Sequence, residues 1–288
     1  MILKKFFILI ILFNTACNAL YLCKAQTSEE AFLLAKSLYA EANYDQAILE
    51  ANRAVFFNDS LKVPAFLFLS GCYEKKEMYY EAINCLTVAA EFEFNDSLYK
   101  DLVFRKINLY LRNKQPAYAF IELSQLNCDN SVYFSTRLDL YYTLAYFQIS
   151  DFNNSEKYSE KLLMRYSGYD SCFLEKFFLK AIRNSERSTL IPALSSALLP
   201  GSGQLMNGYY RDAANSFVLN AVLAAVTYIS FVRLRPLDAI ITMFPFVHRY
   251  YLSNIFIARD MALSKKESVK VDMYNELLDY IDQATNNQ

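Results

Sequence analysis

Enzyme chemistry needs groups placed to move protons, hold metals or attack substrates, and this chain of 288 residues is poor in them. Its one histidine, His248, lies in an aromatic stretch with no carboxylate beside it to tune it as an acid or base. Six cysteines are present, but no two are spaced C-x-x-C and the histidine lies far from them, so no metal-ligand set is predicted. The carboxylate pairs Glu29-Glu30 and Glu91-Glu93 fall on expected helix surfaces, where solvation explains them. Ser195 and Ser196 lack a base and lie in an apolar segment. Gly201 and Gly203 do not form a phosphate loop: no strand precedes them, and no Gly-Lys-Ser/Thr follows to supply the cation and the metal-binding hydroxyl. The expectation is a protein with no catalytic residue, no metal, no cofactor and no nucleotide. Lys and Arg number 29 against 30 Asp and Glu, so no basic field invites nucleic acid either.

With chemistry set aside, the question becomes what the elements are for. The chain has 23 Tyr and 23 Phe but no Trp, and only 5 Gly and 6 Pro. Scarce breakers and abundant aromatics favour an all-α protein packed through rings. At the N-terminus, Lys4 and Lys5 precede an apolar run over residues 6–13 and then small residues, the layout of a secretory signal peptide over 1–25. The run is too short to cross a bilayer. Lipid attachment at Cys17 or Cys23 is the rival reading, but neither has an apolar-then-small lead-in. Cleavage leaves Cys72, Cys85, Cys128 and Cys172 in a potentially oxidising compartment, where they could pair in three ways or simply be small buried residues on helices.

Self-similarity then organises the first half. Tyr44-Asp45-Gln46-Ala47-Ile48 is matched 35 residues later by Tyr79-Tyr80-Glu81-Ala82-Ile83, and FNDSL occurs at both 57–61 and 94–98. Weaker copies centre on Ala119, with Pro116 where the aromatic belongs, and on Ser155 after Phe152. This pattern resembles the tetratricopeptide repeat, whose second helix opens with an aromatic and carries small residues where it approaches the first. The resemblance implies four helical hairpins over residues 26–170, closed by a capping helix over 171–188. It also implies a concave groove for a protein or extended peptide. Carried over position by position, the groove would be lined by Phe32, Lys36, Tyr39, Glu74, Lys75, Phe104, Asn108, Arg112, Arg137 and Phe147.

The character changes after residue 188. Residues 188–210 carry no charge and hold three of the five glycines, Gly201, Gly203 and Gly208. Residues 213–232 are twenty without charge, about 30 Å as a helix. A second apolar stretch over 237–258 contains Asp238, His248 and Arg249, the last of which must face protein or snorkel. Two helices, about 212–232 and 237–258, are predicted to form a transmembrane hairpin behind a Gly-rich lead-in, giving a membrane domain over 189–258. Pro200 and the glycines disfavour a regular third span. The tail, 259–288, places Val269, Met273, Leu277 and Ile281 at four-residue intervals, an amphipathic helix that could dock on the membrane or on the repeats.

Pro200-Gly201-Ser202-Gly203-Gln204, with Asn207 and Gly208 behind it, resembles a PGxGQ…NG motif of bacterial membrane proteins, notably of the Bacteroidetes group, over roughly residues 191–262. That family brings no activity to transfer. Pro200, Gly201, Gly203, Gln204, Asn207, Gly208 and Asn220 are the residues singled out for a membrane role, Asn220 and Ser216 as groups that could hydrogen-bond to a neighbouring helix. The sequence thus leads to an expectation of a non-catalytic scaffold in the inner membrane, its repeats in the periplasm, with protein partners and a lipid bilayer. The alternative is an accessory factor for membrane protein insertion or transport, acting through the C-terminal hairpin.

Overall fold

The computed structural model describes residues 27–93, 95–126, 131–166, 169–233 and 236–286, apart from a few side chains between 236 and 247 and that of residue 286. The expected signal peptide, with Cys17 and Cys23, lies outside the described residues, as do Phe94, Cys128 and Arg235. Among the described residues the regular elements are all helices: α1 Ser28–Ala40, α2 Tyr44–Phe57, a 3-10 turn Asp59–Leu61, α3 Lys62–Lys75, α4 Tyr79–Glu91, α5 Asp96–Arg112, α6 Pro116–Gln125, α7 Val132–Gln148 and α8 Phe152–Leu163. They continue with α9 Ser171–Glu186, α10 Leu190–Leu198, α11 Ser202–Met206, α12 Tyr210–Arg233 and α13 Pro236–Asn286. The chain divides into two compact units, Met1–Tyr141 and Tyr142–Gln288.

Helix starts are written into the sequence. Thr27 and Glu30 form a reciprocal capping box on α1, with Thr27 Oγ1 accepting from the Glu30 N–H at 3.2 Å and Glu30 accepting from the Thr27 N–H at 3.0 Å. The repeated FNDSL has the same kind of local cause. Asn58 accepts from the Ser60 N–H at 3.0 Å and opens the 3-10 turn that leads into α3, while Asn95 accepts from the Leu98 N–H at 3.1 Å and caps α5 directly.

The turn inside each hairpin repeats four times. Ala42, Glu77, Lys114 and Ser150 all have left-handed backbones, with φ of 59, 59, 55 and 65°. The N–H of the following residue bonds back to the helix carbonyl five positions earlier: Asn43 to Leu38, Met78 to Tyr73, Gln115 to Tyr110 and Asp151 to Tyr146, at 2.9 to 3.0 Å. This is a Schellman closure, and it satisfies the last carbonyls of each first helix. In the second helices Ala47, Ala82, Ala119 and Ser155 are each wholly buried. Their small side chains let the two helices of a hairpin approach. Ser155 adds a bond, its hydroxyl donating to the Thr143 carbonyl at 2.8 Å.

In the second unit, α9 buries Leu174, Phe177, Phe178 and Ala181. Phe147 sits among Phe152, Phe177, Phe178 and Tyr274 at ring distances of 5.1 to 6.4 Å. The separate helix over 237–258 and tail over 259–288 expected from sequence are instead one element: α13 runs unbroken for 51 residues, about 76 Å. No glycine follows Pro236, and the one internal proline, Pro245, lies early enough that forty residues of regular backbone follow it. The amphipathic pattern of the tail is real: Met273, Leu277 and Ile281 are buried. Tyr280 packs on Phe173 at 4.4 Å and donates to Asp170, while Lys270 donates to the Gln148 carbonyl at 2.7 Å, so the tail docks on helical protein.

Candidate functional site

Two regions carry the residues singled out from sequence. The first is the expected groove. Phe32 is buried, edge-on to Phe68 at 5.6 Å, with the Lys36 ammonium 4.5 Å over its ring. Phe104 is 2% exposed, stacked on Phe134 and Tyr141 and covered by the Arg137 guanidinium at 4.5 Å. Phe147 is wholly buried. These three phenylalanines therefore belong to the interior and cannot line a groove. The physical reason is volume: alanines on the second helices leave space, and burying a phenylalanine there is worth about 2 to 3 kcal/mol, so the large rings fill the seams.

The charged groove candidates are engaged across hairpins. Glu74 on α3 accepts from Arg112 and, at 3.5 Å, from Arg105, both on α5. The Arg112 guanidinium also lies 5.1 Å over Tyr79. Arg137 donates to Asp101 and, at 2.9 Å, to the Tyr133 hydroxyl. Lys76, which the sequence reading passed over, pairs with Asp45. These links join positions 31 to 38 residues apart, one repeat along, so Arg112 and Arg137, two of the four groove cations, already have carboxylate partners. Lys75 and Asn108 are exposed and Tyr39 is half-buried against Tyr44 and Phe68. The open part of the face is thus Lys36, Tyr39, Lys75 and Asn108, with Glu74, Arg112 and Arg137 at its edges.

Two cysteines sit behind this face. Cys72 and Cys85 are buried, and burial pushes both thiols up to about 11, for Cys85 with the added presence of Cys72 and Glu81. Such thiols are poor nucleophiles. Among the described residues no group of three His, Cys, Asp or Glu side chains is placed to hold a metal ion.

The second region is the PGxGQ segment, where the structure gives Gly201, Gly203, Gln204, Asn207 and Gly208 defined places. α10 ends at Leu198, and Gly201 turns the chain with φ 94°. A Cβ on Gly201 would stand 2.4 Å from the Ala213 carbonyl oxygen, and one on Gly203 would stand 2.1 Å from that of Pro192 and 2.8 Å from Ala258 Cβ. Those approaches bring four helices around Gln204, whose side chain is fully buried. Its oxygen accepts from the Ser196 hydroxyl at 3.1 Å, and its amide donates to Asn254 Oδ1 at 2.6 Å and, at 3.4 Å, to the Ser216 hydroxyl. The same Ser196 oxygen accepts from the Gly203 N–H at 2.9 Å. Asn207 donates to the Gly203 carbonyl at 2.8 Å, and its own carbonyl receives Lys265 at 2.6 Å. Gly208 makes the second left-handed turn, φ 87°, leading into α12. Asn220, expected to reach a neighbouring helix, donates instead to the Ser216 carbonyl of its own helix at 2.8 Å.

Ser196, Asn254 and Ala258 complete this lock and were not singled out from sequence, whereas Ser216, expected to bond to a neighbouring helix, does so through Gln204. A usable signal existed: a buried asparagine four residues before a small residue, in an otherwise apolar run, is the kind of position that packs and bonds to another helix. Around the lock the surface is apolar. Leu190, Leu194, Leu198, Phe217, Val222 and Ile229 are all exposed, and α12 is the one helix among the described residues long and apolar enough to cross a membrane, with none of its apolar window buried. His248 and Arg249 are exposed as well, so of the two arrangements expected for Arg249 in a spanning helix, facing protein or snorkelling, protein does not cover it. Compared with protein-family models and with curated proteins, the chain matches none.

Proposed function

We propose that the chain is a membrane-anchored, non-catalytic scaffold in which a solenoid of tetratricopeptide-type hairpins holds a protein or extended peptide on the outer side of a bacterial inner membrane. The observation that carries the anchor is α12, 24 residues whose apolar surface has no cover. What supports the repeat reading is the fourfold Schellman turn with its fourfold small residue on the second helix.

The course of α13 adds a topological argument. It starts at Pro236, three residues after α12 ends, and its second half docks on α9 and on Gln148. If α12 crosses, the first half of α13 must return through the same layer, so the tail and the fourth hairpin share one side. α10 runs antiparallel to α13, with Ala197 against Tyr251 and Pro192 beside Ala262, and α11 climbs back to Lys265. In a bilayer this pair would be a re-entrant hairpin whose irregular backbone is shielded by protein. The Gly-rich segment then acts as packing rather than as a working part, which takes support from an insertion or transport role.

Photocrosslinking in native membranes tests the scaffold. A crosslinker at Tyr39 or Asn108 is expected to capture a defined protein that a control at the exposed turn residue Lys114 does not. Equal capture at all three positions would defeat the groove reading.

A further inference from the structure

We infer that the cleft at the start of α10 seats the phosphate of an anionic lipid, an inference that rests on the membrane reading of α12. The cleft, about 180 Å³, lies between α10, α11 and α13 in the second unit. Three cations line it, Arg187, Lys265 and Lys266, together with the polar residues Ser188 and Thr189. Among the described residues none of the three cations makes an ion pair. Lys265 donates to the Asn207 carbonyl at 2.6 Å and Lys266 to the Ser185 carbonyl. Each bond uses one of the three ammonium protons, and the neutral carbonyls leave both charges uncompensated. Arg187 is exposed. At the start of α10 the Leu190 N–H is taken by the Ser188 hydroxyl at 3.3 Å and Pro192 has no N–H, so the helix end adds the Ile191 N–H and the three side-chain cations carry the site.

Position selects a lipid over a free anion. Lys265 reaches the carbonyl of Asn207, three residues before α12 begins, so the cleft stands at the level where the apolar helix starts. Its remaining walls include Ile191 and Met206, 57% and 56% exposed. They continue outward into the exposed Leu190 and Leu194. A charged pocket opening directly onto an apolar face matches a headgroup phosphate with acyl chains beneath it, whereas a soluble phosphate has no use for that face.

The test uses the full chain with neutral phosphatidylcholine vesicles and with vesicles that also contain phosphatidylglycerol. Flotation with the neutral vesicles reports the anchor. Enrichment of phosphatidylglycerol around the protein, read by mass spectrometry of the retained lipid, reports the cleft. Wild type should float with both and enrich the anionic lipid. Arg187→Gln combined with Lys266→Gln should still float, with enrichment lowered about 25-fold, at roughly fivefold per cation removed. Arg187→Gln alone, which touches no structural bond, should lose about fivefold, and Arg187→Lys should restore most of it. Floating without anionic preference in the wild type overturns the lipid site and leaves the anchor standing. Failure to float with either vesicle overturns both. Displacement of the retained lipid by inorganic phosphate at matched ionic strength would mean a soluble-anion site and overturn the assignment.

Discussion

The turns of the hairpins and those of the PGxGQ segment both use left-handed backbone, yet they recruit different residues. Ala42, Glu77, Lys114 and Ser150 take φ near 60° with ordinary side chains, and all four are exposed. Gly201 and Gly208 take φ of 94 and 87°, and Gly201 is pressed against Ala213. The first set tolerates the strain of roughly 1 kcal/mol per residue because the side chain points into open solvent and the Schellman bonds repay it. Gly201 has no such freedom, because the backbone of Ala213 on α12 occupies the place a Cβ would take, whereas Gly208 meets only the end of Lys265 at 3.6 Å and owes its glycine to the dihedral angle. At Gly201 contact, added to dihedral angle, makes glycine obligatory.

The widest contrast between the two regions is expected from one substitution made in each. Gly203→Ala drives a Cβ into a backbone carbonyl and should cost more than about 4 kcal/mol, abolishing protease resistance of the C-terminal helices. Gly71→Ala on α3 meets only the flexible end of Arg105 at 3.4 Å and should stabilise by up to about 1 kcal/mol in thermal unfolding. If both glycines proved equally tolerant, the contact explanation would be wrong.

Next in size is the lock itself. Gln204→Leu leaves Asn254 and Ser196 without their partner and should cost about 2 kcal/mol. Adding Asn254→Leu should cost much less than the second single change would by itself, since the two form one network; strict additivity would show that they do not. Smaller gains are expected from replacing Ala42, Glu77, Lys114 or Ser150 by glycine, roughly 0.5 to 1 kcal/mol each in urea denaturation. Glycine at these positions lowering stability would argue against the strain. The mildest probe is chemical. At pH 7 the thiols of Cys72 and Cys85, with pKa near 11, are ionised at about one part in ten thousand, so iodoacetamide should label exposed Cys172 and spare both until the protein unfolds.

How much was legible depended on whether a position is governed by its neighbours in sequence or in space. Ala47, Ala82, Ala119 and Ser155 could be read from their spacing because every hairpin imposes the same close approach. Phe32, Phe104 and Phe147 could not be assigned correctly: a phenylalanine one face round a helix reads the same whether it fills a seam or faces a partner, and only the rings around it decide. The partners of Gln204 were hidden for a related reason. Asn254 lies 50 residues beyond it, and nothing local marks that distance as a contact. The unbroken α13 was also misread, because a change from apolar to charged composition marks a change of surroundings and need not mark the end of a helix.

The sequence by itself determined the all-helical character, the hairpin period, the apolar helix α12 and the break at Pro200, because each depends on local backbone preference or on composition within a short window. Tertiary structure alone decided which aromatics are core, which cations are already paired and why Gly203 and Gln204 stand where they do. Those assignments are contact energies between segments tens of residues apart, and burial, charge pairing and steric exclusion take their values only once the segments meet.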